Sequence, residues 1–169
     1  LCQDTGMAVF FAEVGQDVIV VGDTLTEAIN KGDSQGYIQG YLRKSVVSPI
    51  ERINTKDNTP AIIHYEMVKG DKIKIQYAPK GFGSENMSKL KMLNPSDGID
   101  GIKQFIVDTV SEAGPNPCPP IVVGVGIGGT VDKCAQIAKK ALFRDIGEHN
   151  KDENIKNLER EMLEKINNL

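Results

Sequence analysis

Apolar residues crowd Met7 to Val14 without a clean alternation, the pattern of a strand buried on both faces. Gly15-Gln16-Asp17 reads as a turn and Val18 to Val21 as a second short strand, so the two are expected to pair as a hairpin. Asp23 and Thr24 can cap a helix that carries Leu25, Ala28 and Ile29 on one face. Gly32, Gly36 and Gly40 punctuate the next stretch, and a separate helix is predicted from Ser34 to about Lys44, with Tyr37, Ile38, Tyr41 and Leu42 apolar. It ends near Ser48-Pro49.

From Glu51 to Thr59 the composition turns polar, as in a loop. Pro60 then opens a strand through Met67, Lys69-Gly70-Asp71 makes a turn, and Lys72 to Ala78 alternates charged or polar with apolar residues, which predicts an antiparallel hairpin with one solvated face. Pro79 to Ser88 is too rich in glycine and short polar side chains to predict an element. Helical spacing returns over Gly98 to Ala113, at Ile99, Ile102, Phe105, Ile106 and Val110. A β-branched run from Ile121 to Val125 predicts a buried strand, Thr130 an N-cap for a helix through Leu142, and Glu153 to Leu169 a charged amphipathic helix. These elements predict an α/β fold, a mixed sheet with helices packed around it, in a single domain.

Composition narrows the function. With 169 residues, of which 40% are hydrophobic, the chain can bury one core. Its net charge of -3, with lysines interspersed among acids, argues against a nucleic-acid surface. No apolar run approaches the ~20 residues of a bilayer span and no signal-peptide pattern opens the chain. A cytoplasmic protein away from membranes is the expectation. The chain starts at Leu1-Cys2 without a methionine, which reads as a piece of a longer polypeptide. Three cysteines in a reducing compartment favour thiol chemistry or metal ligation over a disulfide framework.

Cys118 stands in Asn116-Pro117-Cys118-Pro119-Pro120, held between prolines whose φ barely varies. Cys2 precedes the turn-forming Gln3-Asp4-Thr5-Gly6. Both suit ligation at one metal site, by zinc or by an iron–sulfur cluster, although no paired CxxC marks a zinc knuckle. Cys134 lies inside the helix from Thr130 and reads as a small hydrophobe. His64, in a strand, and His149, in a loop, read as structural. Gly124-x-Gly126-x-x-Gly129 fits the dinucleotide fingerprint in form, but the second strand with its acidic residue is missing after the helix. Three readings of these features stand: a dinucleotide- or anion-binding module using Gly124 to Thr130, a zinc-binding structural domain, or glycines that only permit tight strand-to-helix packing. The Pro79 to Ser88 loop offers a backbone open to close approach, a charge at Lys80 and hydrogen bonds from Ser84, Asn86 and Ser88, or it is an ordinary surface turn.

Taken together, Cys2-Gln3-Asp4-Thr5-Gly6, Lys80-Gly81-Phe82-Gly83-Ser84-Glu85-Asn86, and Asn116 to Pro120 running on to Gly128-Gly129-Thr130 resemble the alpha subunit of the class I fumarate hydratase and tartrate dehydratase family. The form of the middle loop is similar to the two-subunit branch. The resemblance implies a hydro-lyase acting on fumarate and malate, or on a related hydroxy-dicarboxylate such as tartrate, at an open iron of a [4Fe-4S] cluster. It implies Cys2 and Cys118 as cluster ligands, with the third ligand in a segment beyond Leu169; Cys134 does not match that position. Asp4 would transfer a proton, and Gln3, Asp4, Arg43, Gly81, Ser84 and Asn86 would bind substrate. By this resemblance residues 1–169 are part of the alpha-subunit catalytic domain, truncated at both ends, and a separate beta subunit and an oligomeric assembly complete the enzyme.

Overall fold

The computed structural model describes residues 5–169 of a chain that divides into two compact units, Leu1–Glu85 and Asn86–Leu169. The first is organised on β1 (Met7–Gly15), which lies between β2 (Ile62–Val68), parallel to it, and β3 (Ile73–Lys80), antiparallel to it. A central position is what a run without alternation needs, because both of its faces are shielded from water. Ala8, Val9, Phe11 and Ala12 are all buried. The expected mixed sheet with helices is therefore present.

Holding the centre uses both edges of β1, and this corrects two expected pairings. Val18 to Val21 is not a strand: no edge of β1 remains for it, and Ile19 and Val21 are 86% and 89% exposed. Nor do β2 and β3 form a hairpin with each other. They flank β1, and the connection between them crosses its end, where the Gly15, Gln16 and Asp17 N–H groups donate to the carbonyls of Lys72, Val68 and Gly70. A Cβ on Gly15 would collide with the Gly70 carbonyl, so the crossing requires glycine.

The chain from Leu25 to Gln39 is one helix, α1, where two were expected. It starts from a capping box in which the Thr24 side chain accepts from the Glu27 N–H and the Glu27 carboxylate accepts from the Thr24 N–H. Each helical glycine costs about 1 kcal/mol relative to alanine. The helix continues through Gly32 and Gly36 because Ile29, Asp33 and Tyr37, spaced four apart, form its buried stripe, and packing outweighs propensity. Tyr37 joins Ala8 and Ala61 in a cluster closed by Phe10, Leu42 and Ile63. Beyond β3, Phe82–Glu85 makes a single helical turn, α2, inside the segment expected to lack any element.

In the second unit a 3-10 turn (Pro95–Asp97) leads into α3 (Gly98–Ala113), followed by α4 (Val131–Ala141) and α5 (Glu153–Asn167). The apolar stripes of α3 and α5 pack together, with Ile106, Ala113 and Met162 buried, and Lys103 pairs with Glu161 at 2.7 Å. Ile121 to Val125 is not a strand, contrary to expectation: among the described residues no strand pairs with it. No helix is long and apolar enough to cross a membrane among the described residues.

Candidate functional site

The candidate site gathers at the end of the sheet where β1 begins. Cys2, Gln3 and Asp4 lie outside the described residues, so the site is built from Thr5 onward. The register pairs Met7 with Lys80, which brings the segment before β1 against the segment after β3. At Gly6 the approach is closest: φ is +54° and a Cβ would collide with the Lys80 carbonyl, so no other residue fits without a shift.

Thr5 and Gly6 are then held from three further directions. The Thr5 hydroxyl donates to the Arg43 carbonyl at 2.6 Å, and the Tyr37 hydroxyl donates to the Thr5 carbonyl at 3.5 Å. Asn58, fully buried, accepts from the Ser45 and Val46 N–H groups at 2.7 and 3.1 Å and donates from Nδ2 to the Gly6 carbonyl at 3.1 Å. Its φ of +67° is a conformation that asparagine tolerates better than most residues. Asn58 thus ties the Arg43 segment to the turn that follows Asp4. Sequence reading passed over it, because within the polar run from Asn54 to Thr59 nothing distinguishes the one side chain that turns inward.

After β3, Lys80 Nζ donates to Ser84 Oγ at 2.6 Å and to the Gly81 carbonyl at 3.3 Å, and it pairs with Glu85 at 3.3 Å. Ser84 Oγ in turn donates to the Gly81 carbonyl at 3.0 Å. The charge expected of Lys80 is therefore engaged inside its own turn, where it shapes the backbone around Gly81 and aligns Ser84. The Arg43 side chain is exposed and makes no ion pair among the described residues, which leaves its guanidinium open to an anion. Asn86 is exposed and opens the second unit.

Behind this cluster sits Asp33, whose Oδ2 is buried without a hydrogen-bond partner. Burial, and secondarily the charge of Asp57, push its carboxyl up to about 6. Burial likewise raises Tyr37, with a further contribution from its hydrogen bond to Tyr77. Asp33 carried no sequence signal either, since its burial follows from a helix that was expected to break before it.

Cys118 lies in the second unit, after the turn that ends α3. Its thiol is free and exposed, and its φ of +61° is in the left-handed region that non-glycine residues enter at a cost, a feature that clusters at functional sites. Cys134 is half-buried rather than buried, and it donates its thiol to the Gly126 carbonyl at 3.1 Å. Gly124 and Gly126 abut α4 so closely that a Cβ on either would collide with the Ala138 or Cys134 carbonyl. Tight packing therefore accounts for two glycines of the apparent fingerprint, while Gly128 and Gly129, at φ +83° and +77°, make the turn into α4. His64 stacks on Phe11 with ring centroids 4.6 Å apart, and His149 lies 3.9 Å from Glu159, which Arg144 also engages at 2.8 Å. Among the described residues no group of three or more His, Cys, Asp or Glu side chains is placed to hold a metal.

Comparison with known proteins places these motifs in context. A protein of Methanocaldococcus jannaschii provisionally named L(+)-tartrate dehydratase subunit alpha is 49% identical over the whole of this chain, which covers 61% of that relative. The L(+)-tartrate dehydratase subunit alpha of Escherichia coli O157:H7 is 31% identical over 99% of this chain and 56% of its own length. The corresponding protein of Escherichia coli K12 is 30% identical over the same shares. The chain thus spans about three-fifths of the length of these relatives. Residues 1–169 match the family described as fumarate hydratase (Fumerase) from end to end, and the chain belongs to that family.

Proposed function

We propose that this chain is the cluster-binding part of a hydro-lyase that adds water to, or removes it from, a small dicarboxylate of the fumarate–malate or tartrate type. The observation that carries the reading is the meeting of three segments at one end of β1: Thr5-Gly6, the Arg43 backbone, and the Lys80–Ser84 turn. Each adjoins or contains a residue that the family resemblance assigns to substrate, and they come from parts of the chain far apart in sequence.

In this reading the open Arg43 guanidinium takes a substrate carboxylate, a task suited to its planar pair of donors. Gln3, the Gly81 backbone, Ser84 and Asn86 supply hydrogen bonds that orient the rest of the molecule. Ser84 is prealigned by Lys80, so little ordering entropy is lost when it binds. Asp4 moves the proton at the carbon beside the hydroxyl-bearing one, and the bonds converging on Thr5 and Gly6 hold the backbone just after it.

Cys2, Cys118 and a third thiolate from outside these residues would hold a [4Fe-4S] cluster. Such a cluster supplies a Lewis-acidic iron that polarises the substrate hydroxyl. The chemistry of Cys118 fits a ligand: a free, exposed thiol beside a backbone locked by prolines. Cys134 does not fit, since its thiol is engaged by the Gly126 carbonyl. A beta subunit provides the remaining catalytic groups, as the alpha-subunit names of the relatives suggest.

The test is anaerobic reconstitution, with iron and sulfide, of this chain extended to the length of its relatives and combined with a beta subunit. The expected product is brown, with broad visible absorbance, and dehydrates malate or tartrate; Cys118→Ser abolishes both properties. A folded complex that stays colourless and inert toward both substrates would falsify the proposal. Stoichiometric zinc on elemental analysis or dinucleotide binding by calorimetry would favour the rival readings instead.

A further inference from the structure

The run from Ile121 to Ile127 has the composition of a strand and the packing of one, yet lacks a sheet. Its two glycines fit against the α4 backbone, and the Cys134 thiol bonds to Gly126 there, so one side of the run is covered by a helix as in an α/β layer. Val123 and Ile127, at alternate positions, remain 41% and 49% exposed, and Val122 is 60% exposed. Among the described residues no backbone-to-backbone hydrogen bond involves any residue from 119 to 129. A β-branched run of this kind leaves a row of donors and acceptors that native folds almost always pair.

We propose that Ile121–Ile127 becomes a sheet strand when it pairs with a neighbour supplied by the additional polypeptide that the relatives carry beyond the stretch matched here. The length is there to supply it: the match covers 61% of the Methanocaldococcus jannaschii protein and 56% of the Escherichia coli O157:H7 protein. The occupant is an extended segment with its own apolar alternation, bonding through its backbone and covering Val123, Val125 and Ile127. Cys118 stands three residues before the run, so pairing would also anchor the loop that carries this thiol. The inference is independent of the hydro-lyase reading, because backbone pairing needs no cluster.

Hydrogen exchange read residue by residue tests it. In this chain, the Val122 to Ile127 amides should exchange close to the unstructured rate. In the same chain joined in native order to the additional polypeptide of the Methanocaldococcus jannaschii relative, they should slow by about a hundredfold or more, while the α4 amides are protected in both. The full-length relative, measured in parallel over its corresponding residues, gives the same readout if the chimera does not fold. Val123→Pro, which removes one donor, should lower the unfolding midpoint of the longer protein and leave that of this chain unchanged. Equal and fast exchange in a folded longer protein overturns the inference. Protection that appears in this chain alone and grows with its concentration also overturns it, by making a second copy the occupant.

Discussion

The Asn58 side chain donates to the Gly6 carbonyl at 3.1 Å while it accepts from two successive backbone N–H groups, those of Ser45 and Val46. One fully buried amide therefore joins the start of β1 to the segment that carries Arg43.

Asn58→Ala should be among the most destabilising single changes in the first unit. It would leave two buried N–H groups and one carbonyl short of a partner, at roughly 1–3 kcal/mol for each group that water cannot reach. A total loss of about 3 kcal/mol is expected from urea denaturation midpoints. Asn86→Ala, at an exposed position, should change stability by no more than about 0.5 kcal/mol.

Gly6→Ala combines a strained φ with a collision against the Lys80 carbonyl. The backbone strain alone costs about 1–2 kcal/mol, and the collision forces the two motif segments apart. The expected result is a loss of at least about 2 kcal/mol, read by the same denaturation experiment, with faster amide exchange at residues 80 to 85. An alanine tolerated without either effect would show that the two segments are not locked together.

Asp33 makes stability depend on pH in a stated direction. Its folded-state carboxyl is raised to about 6 by burial and by Asp57, so the folded protein holds this proton more tightly than the unfolded chain does. That contribution is fully present below about pH 4 and is lost as pH rises through 6. A shift of this size corresponds to roughly 2–3 kcal/mol. Denaturation of the native chain and of Asp33→Asn between about pH 4 and 8 should show the native chain losing stability relative to the variant across this window and levelling off above about pH 7. Parallel profiles would contradict the assignment.

The glycines before α4 should separate into two classes. Gly126→Ala drives a methyl group into the α4 backbone and should cost several kcal/mol or displace the helix, since overpacking in a tight contact is not relieved cheaply. Gly128→Ala meets open space and should cost only the strain of φ +83°, about 1 kcal/mol. The comparison is a pair of denaturation curves; equal losses would refute the packing role of Gly126.

Local and one-dimensional signals were legible without a structure. The unalternating run at Met7 to Val14 announced a strand shielded on both faces, Asp23 and Thr24 marked a helix start, and the stripes of α3 and α5 came from 3.6-residue spacing. The motifs around Cys2, Lys80 and Cys118 pointed to the family. In each case the physics acts over a few residues, so sequence order is enough to express it.

The tertiary structure decided which segments are neighbours. That β1 takes the centre and separates β2 from β3, that α1 runs through two glycines, and that Asn58 and Asp33 turn inward all depend on contacts between residues tens of positions apart. Burial and edge pairing are competitions among distant segments for the same surface, and composition alone does not say which segment wins.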